Sequence, residues 1–273
     1  MAELLLNADS CSNCSLCIAA CPMNIIRMQD GEFPHFTADG AERCIVCGHC
    51  EAICPSGSIR IEDPRLDPVV YPVSGSRIES ACLGEHIRMR RSIRRYKDTP
   101  VDRVVVEKLM DVVRYAPTGT NSQQVRWLII HDTAELRKLT ALAVDWMRAA
   151  ICSGSPLSAH FNFAGMVKAW EKGKDPICRN APHLVIAYAS REARSAPVDG
   201  IIALSTLDIV APAYGVGTCW CGFFQYAMSQ WEPLRSALGL EEDQVSIYAM
   251  MLGYPAVSYR RPPRRNRINL IWR

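Results

Sequence analysis

The 273-residue sequence predicts an α+β protein in which a small cysteine-rich domain precedes a larger domain, a sheet covered by helices. Eight of the 13 cysteines lie between Cys11 and Cys54. From residue 77 onward, helical segments outnumber strand segments, and three prolines interrupt residues 64–76. We therefore expect a domain at residues 1–63, a proline-rich linker at 64–76 and a second domain at 77–273.

The two predicted domains carry opposite charge. Residues 1–63 contain nine acidic residues and three arginines, a net charge of −6, which leaves +9 on residues 64–273 of a chain whose total is +3. This excess of positive charge favours anionic ligands or partners. We do not expect nucleic-acid binding, because neither basic run of the chain is interleaved with stacking aromatic residues.

The N-terminal segment and the apolar runs bear on localisation. Residues 1–7 have no basic residue ahead of their three leucines, so we expect no secretory signal peptide. The longest apolar run, residues 201–217, is interrupted by Asp208, which argues against a membrane span. These patterns favour a cytoplasmic protein.

The cysteines of the first predicted domain form two copies of the run Cys-x2-Cys-x2-Cys-x3-Cys-Pro. The first copy begins at Cys11 and the second at Cys44, and the same offset matches Ala19 with Ala52 and Ile26 with Ile59. The segment is therefore an internal duplication. Its eight cysteines are Cys11, Cys14, Cys17 and Cys21 in the first copy and Cys44, Cys47, Cys50 and Cys54 in the second.

This spacing is typical of cysteines that bind 4Fe-4S clusters. Three thiolates separated by two residues can bind three irons of one cube, and in this type of run the fourth cysteine ligates the other cluster. We therefore predict two 4Fe-4S clusters with crossed ligand sets. One set is Cys11, Cys14, Cys17 and Cys54, and the other is Cys44, Cys47, Cys50 and Cys21. Residues 1–63 resemble the bacterial two-cluster ferredoxins.

A disulfide framework and structural zinc are the alternatives for these cysteines. Disulfides need an oxidising compartment, and the total of 13 cysteines is odd. Two complete four-cysteine runs would be an unusual source of zinc ligands. We interpret His49, inside the second run, as a surface or tuning residue because the cysteine set is already complete. Outside the runs, we expect Cys82, Cys152 and Cys178 to be small buried apolar residues.

In the second predicted domain, apolar periodicity and turn formers predict the elements in chain order. Thr99, Pro100 and Asp102 are typical of a helix start, and Pro212 should bend or end a later helix. Residues 141–180 fit no clean period and are either an excursion over a pocket or helices with packed aromatic residues. The predicted elements are a helical segment from Arg77, helix 101–115, strand 127–131, helix 134–150, strand 184–189, helix 199–213 and strand 246–253.

Four segments of this domain could bind an anion and a flat ring. The run Arg88–Lys97 has six bases and no acid, and its Ser92 supplies a hydroxyl among guanidinium groups, which suits a phosphate monoester. A second basic run occupies residues 260–267. The loops at 116–123 and 215–222 contain glycine and turn formers that let a backbone approach a ring closely. A tight helix-to-strand turn is the alternative interpretation of residues 215–222.

In this order, the four segments resemble the nitroreductase family of FMN oxidoreductases, over most of residues 77–273. The matching motifs are Arg-Arg-Ser-Ile-Arg at 90–94, Pro-Thr-Gly-Thr-Asn-Ser-Gln at 117–123, Gly-Thr-Cys-Trp-Cys-Gly at 217–222 and the arginines around Arg264. The resemblance implies a nitroreductase-like mixed sheet covered by helices. It also implies that FMN is bound at the interface of a homodimer.

The resemblance further implies which residues bind FMN. Arg90, Arg91, Ser92 and Arg94 would hold its phosphate, ribityl chain and pyrimidine edge. Pro117, Thr118, Gly119 and Asn121 would reach the flavin from the partner subunit. Cys219, Trp220, Cys221 and Gly222 would lie at the reactive N5 edge, and Arg264 or Arg265 would close on the phosphate.

Together the two domains predict an FMN-dependent oxidoreductase of nitroreductase type. Clusters carry single electrons, whereas a flavin can pass two on as a hydride. We therefore expect electrons to pass through the clusters to FMN and on to a nitro, quinone or other conjugated acceptor, with ferredoxin or NAD(P)H as donor. Two alternatives stay open, namely an adaptor that relays electrons between protein partners, and an NAD(P)H-fed flavin that passes electrons outward through the clusters. No side chain is assigned a catalytic role.

Overall fold

The computed structural model describes residues 1–29, 31–68, 75 and 77–273, and the chain divides into two compact units. The first unit comprises residues 1–76 together with 120–122, and the second comprises 77–119 together with 123–273. Most of the predicted linker, at residues 69–74 and 76, lies outside the described residues. Each unit has an apolar core of its own.

The first unit repeats one short fold. The offset that relates Cys11 to Cys44 also matches helix Leu16–Ala20 with helix His49–Ile53. The duplication in the sequence is therefore also a duplication of structure. The unit's first strand pairs antiparallel with its last strand, and the two middle strands pair with each other. The elements are β1 (Glu3–Leu6), α1 (Leu16–Ala20), β2 (Ile26–Arg27), β3 (His35–Phe36), α2 (Gly40–Arg43), α3 (His49–Ile53) and β4 (Ile59–Glu62).

The second unit is a four-stranded sheet covered by helices. Its helices are α4 (Ser80–Met89), α5 (Arg103–Val113), α6 (Thr133–Cys152), α7 (Pro156–His160), α8 (Phe163–Glu171), α9 (Ala196–Val210), α10 (Gly222–Gln230) and α11 (Glu232–Ala237). Its strands are β5 (Arg126–Ile130), β6 (His183–Ser190), β7 (Gly217–Trp220) and β8 (Gln244–Gly253). The strand order is β5-β6-β8-β7, and each of these three pairs is antiparallel. This arrangement differs from the mixed sheet that the resemblance implies.

Both faces of this sheet are buried. Along β6, Leu184 and Ile186 belong to the apolar cluster formed with α6, α8 and α10, whereas Val185 and Ala187 belong to the cluster formed with α5 and α9. A strand that is buried on both faces has a continuous apolar sequence, as predicted for residues 184–189.

Helix α9 is the central helix of one of these layers. By length and composition, the stretch Ala196–Tyr214 is the one candidate among the described residues that could cross a membrane. Leu204 and Leu207 of α9 are fully buried against the sheet, as in the core helix of a globular domain. The α-helix ends at Val210, and a 3₁₀ turn that contains Pro212 follows it.

Some local predictions differ from the structure. The helix expected at residues 101–115 begins at Arg103 because Asp102 has extended backbone angles in the N-cap position. Residues 141–180 form the end of α6 followed by α7 and α8, with aromatic side chains packed together. The expectation of burial is confirmed for Cys178 but is wrong for Cys82 and Cys152, which lie on exposed positions of α4 and α6.

Candidate cofactor sites

The cysteines of the first unit surround two separate cavities. One is lined by Cys21, Cys44, Cys47 and Cys50. The other is lined by Cys11, Cys14, Cys17 and Cys54. Each cavity therefore collects three cysteines of one run and the fourth cysteine of the other, which is the grouping that the sequence predicts.

Matching backbone turns place the cysteines. Ser15 and Gly48, which occupy equivalent positions in the two copies, both adopt left-handed backbone angles (φ of 60° and 69°) at the start of α1 and α3. The fourth cysteines, Cys21 and Cys54, cap these helices with nearly equal extended angles (ψ of 110° and 115°). A non-glycine residue in left-handed geometry is uncommon and is typically found at functional sites, which agrees with Ser15 in a cluster-binding turn.

The thiols differ in their electrostatic surroundings. Burial raises the pKa of Cys50 to about 11, and it also raises the pKa of Cys17 and of Cys44. By contrast, hydrogen bonds from the hydroxyls of Ser58 and Ser56 lower the pKa of Cys54 to about 6. A buried thiol with a raised pKa becomes a ligand only when the metal displaces its proton, so cluster binding would release protons to solvent.

The arrangement of donors fits an iron–sulfur cube. Among the described residues, no three His, Cys, Asp or Glu side chains converge closely enough to hold one metal ion. In a 4Fe-4S cube the cysteines bind different irons, so the thiols surround a cavity instead of meeting at one point. The four thiols and the apolar lining of each cavity therefore suit a cluster better than a zinc ion.

The second unit contains a much larger cleft, of about 660 Å³. Two of the four predicted FMN-binding segments, at 88–97 and 215–222, meet there through backbone hydrogen bonds, together with residues 254–256, which precede the predicted basic run at 260–267. Ile93 donates to the Thr218 carbonyl at 2.8 Å, Lys97 donates to the Tyr254 carbonyl at 2.8 Å, and Ala256 donates to the Arg95 carbonyl at 2.9 Å. The lining includes Arg90, Arg91, Ile93, Lys97, Gly215, Val216, Gly217 and the segment 254–259.

Gly217 allows these segments to approach each other closely. A Cβ atom at this position would lie 2.9 Å from Cβ of Ile93 and 3.0 Å from Cγ of Pro255. Such separations are shorter than normal packing distances, so a larger residue would push the basic segment away from β7. The glycine of the predicted loop therefore serves packing of the cleft wall.

Arg90 and Arg91 differ in how their charge is balanced. The Arg90 guanidinium forms an ion pair with Asp208 at 2.9 Å, and Asp208 also accepts a hydrogen bond from the Thr218 hydroxyl at 2.5 Å. No carboxylate among the described residues pairs with Arg91, which donates to the carbonyls of Met89 and Arg88. Partial burial and the nearby charges of Arg265 and Arg90 lower the pKa of Arg91. An anion in the cleft would relieve this repulsion.

Ser92 and Arg94 lie beside the buried thiol of Cys219. The Ser92 hydroxyl is hydrogen-bonded to this thiol and the Arg94 charge is close to it, although burial has the larger effect and raises the pKa of Cys219. Neither Ser92 nor Arg94 is among the residues that line the described cleft. The structure thus divides the predicted phosphate-binding motif, with Arg90 and Arg91 on the cleft side.

In the predicted N5 loop, Gly222 is the residue with a free backbone donor. The Cys221 N–H donates to the Ala249 carbonyl at 2.9 Å, and the Cys221 thiol lies in the core, 3.9 Å from the Cys178 sulfur. Gly222 is the first residue of α10, and the first N–H groups of a helix lack intrahelical partners. Trp220 packs edge-on against Tyr248 at 5.1 Å between ring centroids.

The predicted loop at 117–123 does not line the cleft in the described part of the chain. Gly119 lies at the start of α9, where its N–H donates to Asp199 at 3.1 Å. Thr120, Asn121 and Gln123 all adopt left-handed backbone angles, a strained conformation that is common at functional loops. Pro117 is exposed, Thr118 accepts a hydrogen bond from the Gln123 N–H, and residues 120–122 group with the first unit.

The remaining residues of interest are the C-terminal arginines and the cleft residues that the sequence did not predict. Arg264 and Arg265 lie in an exposed segment without regular structure, with Arg265 near Arg91. Sequence analysis missed Asp208 as the partner of Arg90, and it missed Tyr254 and Tyr259 as cleft residues. The only available signal was Asp208 itself, a charged residue inside an apolar helical run.

Two protein-family models match the chain, one in each of its two units. A model of the nitroreductase family matches residues 87–254, and a model of the 4Fe-4S dicluster domain matches residues 10–61. Fold and cofactor sites therefore define an FMN-dependent oxidoreductase with two 4Fe-4S clusters. Because the first match covers more than half of the sequence, the chain belongs to the nitroreductase family.

Individual relatives are distant. A protein from Archaeoglobus fulgidus described as an NADH dehydrogenase/NAD(P)H nitroreductase is 25% identical over 64% of this chain and 85% of its own. An FMN reductase [NAD(P)H] from Bacillus subtilis is 26% identical over 64% of this chain and 66% of its own. The crystal structure of a nitroreductase with bound FMN from Desulfitobacterium hafniense is 18% identical, with a TM-score of 0.56 over 70% of this chain and 98% of that one. At this identity the structural likeness shows the fold.

Proposed function

We propose that this protein is a homodimeric, cytoplasmic reductase in which electrons enter at the two 4Fe-4S clusters, reach FMN and reduce a nitro, quinone or other conjugated acceptor. The observation that supports it most strongly is the presence, in one chain, of two cavities lined by four cysteines each and of a cleft with an unpaired arginine. When bound, FMN would supply the conversion of single electrons into a two-electron reduction.

The chain's own residues would bind and orient these groups. In our assignment, the thiolates of Cys11, Cys14, Cys17 and Cys54 hold one cluster and those of Cys44, Cys47, Cys50 and Cys21 hold the other. Arg91 and Arg265 supply charge for the FMN phosphate, while Asp208 fixes the orientation of Arg90. We assign the N–H of Gly222, the first residue of α10, as the donor to the flavin edge.

Dimerisation would complete the flavin site. The loop at 117–123 lies away from the cleft lining, so its proposed contacts require a second copy of the chain. Large apolar side chains are exposed on the second unit, as at sites of protein–protein contact. They include Ile78, Leu83 and Ile87 near α4 and Ile268, Ile271 and Trp272 in the C-terminal segment.

A second candidate function follows from the names of the relatives. NAD(P)H is named as the reductant of both curated relatives. In this alternative, NAD(P)H reduces FMN and the clusters carry electrons outward to a protein acceptor. The acidic first unit, with a net charge of −6, would suit a basic acceptor protein.

Anaerobic stopped-flow spectroscopy of the full chain distinguishes the two directions. We expect a reduced low-potential ferredoxin to reduce the protein faster than NADH or NADPH does, with the cluster absorbance changing before the flavin absorbance. Steady-state assays with a nitroarene and a quinone should then show turnover with that donor. Rapid flavin reduction by NAD(P)H, followed by slower cluster reduction, would contradict the proposed direction and support the second candidate.

A further inference from the structure

The two halves of the first unit differ at the fourth cysteine of each run. Aligning the two runs in the sequence, with Cys21 matched to Cys54, matches Met23 with Ser56 and Ile25 with Ser58. The second run therefore places two hydroxyls after its last cysteine, whereas the first run places two apolar side chains there.

Both hydroxyls lie against the sulfur of Cys54. Oγ of Ser58 is 3.3 Å and Oγ of Ser56 is 3.6 Å from this sulfur, and the two oxygens are 2.9 Å apart. A thiolate that ligates iron has no proton, so it can only accept these hydrogen bonds. Ser58 is 5% exposed, so its hydroxyl has little access to competing water.

The backbone around the two fourth cysteines is otherwise matched. Asn24 donates to the Cys21 carbonyl at 3.1 Å, and Gly57, its counterpart, donates to the Cys54 carbonyl at 3.2 Å. The N–H groups of Cys21 and Cys54 likewise donate to the third residue before them, at 3.3 and 3.2 Å. The hydroxyls of Ser56 and Ser58 are therefore the main local difference between the two sites.

The cavity linings extend this difference. Besides its cysteines, the cavity with Cys54 is lined by four serines, which are Ser12, Ser15, Ser56 and Ser58. The cavity with Cys21 has the apolar residues Met23, Ile25, Ile26, Phe36, Ile45 and Ile61 in its lining. His49 also lines the cavity with Cys21, but its Nδ1 is hydrogen-bonded to the Cys47 carbonyl at 3.3 Å.

Hydrogen bonds to the sulfur ligands are one of the factors that set a cluster's reduction potential. Reduction adds one negative charge to the cluster, so a donor that points at a ligand sulfur stabilises the reduced form more than the oxidised form. An apolar lining without such donors disfavours the added charge. The cluster in the cavity with Cys54, where two hydroxyls face a ligand sulfur, should therefore hold an electron more tightly than the cluster in the cavity with Cys21.

From this asymmetry we propose that Ser56 and Ser58 raise the reduction potential of the cluster ligated by Cys11, Cys14, Cys17 and Cys54 above that of the other cluster. One electron then leaves the reduced cluster of the Cys21 set and enters the oxidised cluster of the Cys54 set, and no proton is transferred. Ser56 and Ser58 act through Cys54 as tuning residues. The proposal rests on the ligand assignment given under the proposed function.

A redox titration of the full-length protein, followed by low-temperature electron paramagnetic resonance, tests the proposal. We expect two one-electron steps for the clusters. In Ser58→Ala, the upper step should move down while the lower step stays in place. A tenfold fall in the ratio of reduced to oxidised cluster at the wild-type midpoint would correspond to a shift of about 59 mV. The reciprocal Ile25→Ser variant should move the lower step up.

Two controls separate this proposal from the cluster assignment. Each variant should retain about eight iron and eight sulfide per chain, and fewer in the wild-type protein would contradict the assignment itself. Ser10→Ala removes a hydroxyl that is bonded to the Asn7 carbonyl instead of a cysteine, and it should leave both steps in place. A shift of the lower step in Ser58→Ala, or of neither step, would overturn the proposal. If Ser58→Ala does not assemble both clusters, the Ile25→Ser variant tests the proposal: an upward shift of the lower step supports it, and an unchanged lower step overturns it.

Discussion

Arg90 and Arg91 are neighbours in the sequence, but only Arg91 has a charge that no carboxylate balances in the described part of the chain. We predict that Arg91→Ala weakens FMN binding by about 2 kcal/mol or more, roughly thirtyfold in Kd, because the phosphate loses a charged donor. Isothermal titration of FMN into the apoprotein measures this. Arg95→Ala, in the same basic run, should change Kd little, and equal effects of the two variants would contradict the assignment.

His183 gives the second unit a pH-dependent stability. Its ring is fully buried and stacks on the His131 ring. Nε2 accepts a hydrogen bond from the Val101 N–H at 2.8 Å, and Nδ1 donates one to the His131 carbonyl at 2.8 Å. Protonation would break the bond from Val101, and burial lowers the pKa of His183 to about 4.

Because this pKa is lower than that of an unfolded histidine, about 6.5, the stability it contributes is present above pH 6.5 and is lost as the pH falls towards 4. We predict a loss of about 2 kcal/mol in the free energy of unfolding between pH 7.5 and pH 5. Tryptophan fluorescence reports on this unit, since all six tryptophans lie beyond residue 126. His183→Gln should flatten the profile and the exposed His160→Gln should not; an unchanged profile in His183→Gln would refute the prediction.

At the scale of elements, the cleft depends on how closely residues 90–97 pack on β7. We predict that Gly217→Ala destabilises the second unit by about 1 to 3 kcal/mol, because the added methyl group overlaps Ile93 and Pro255. Urea unfolding followed by tryptophan fluorescence measures the effect. At Gly84, in α4, the methyl group would meet only the flexible end of Arg88, so Gly84→Ala should be neutral or stabilising. Equal stability of the two variants would contradict the packing argument.

The elements that sequence analysis predicted are those with a strong local signal. The strand at 184–189 is a continuous apolar run, and α9 ends near Pro212, as expected. The glycines around Trp220 predict a loop at residues 215–222, whereas the structure forms strand β7 from Gly217 to Trp220. Its strand conformation comes from pairing with β8, a long-range contact that no local pattern reveals.

The same reasoning applies to the candidate sites. Each cysteine run is short and continuous in sequence, so spacing alone predicted the two groups that line the cavities. The cleft is formed by contacts between residues far apart in sequence, such as Arg90 with Asp208 and Lys97 with Tyr254. The position of Gly119 at the start of α9 is likewise a tertiary feature.

At the scale of the whole molecule, one chain contains a one-electron module of net charge −6 and a flavin module. In the function proposed above, electrons pass between the two modules. Covalent linkage keeps the modules at a high effective concentration, so transfer would not depend on diffusional encounter. We therefore propose that reduced clusters deliver their electrons to FMN.

Flash reduction of the anaerobic full-length protein by a photogenerated one-electron donor tests this claim most directly. The clusters should be reduced first, and FMN should then be reduced in a first-order phase whose rate is independent of protein concentration and at least equal to kcat. A Cys17→Ser/Cys50→Ser variant that retains FMN but lacks intact clusters should lose this phase. If FMN in that variant were reduced as fast as in the wild-type protein, the clusters would not be the route by which electrons reach the flavin.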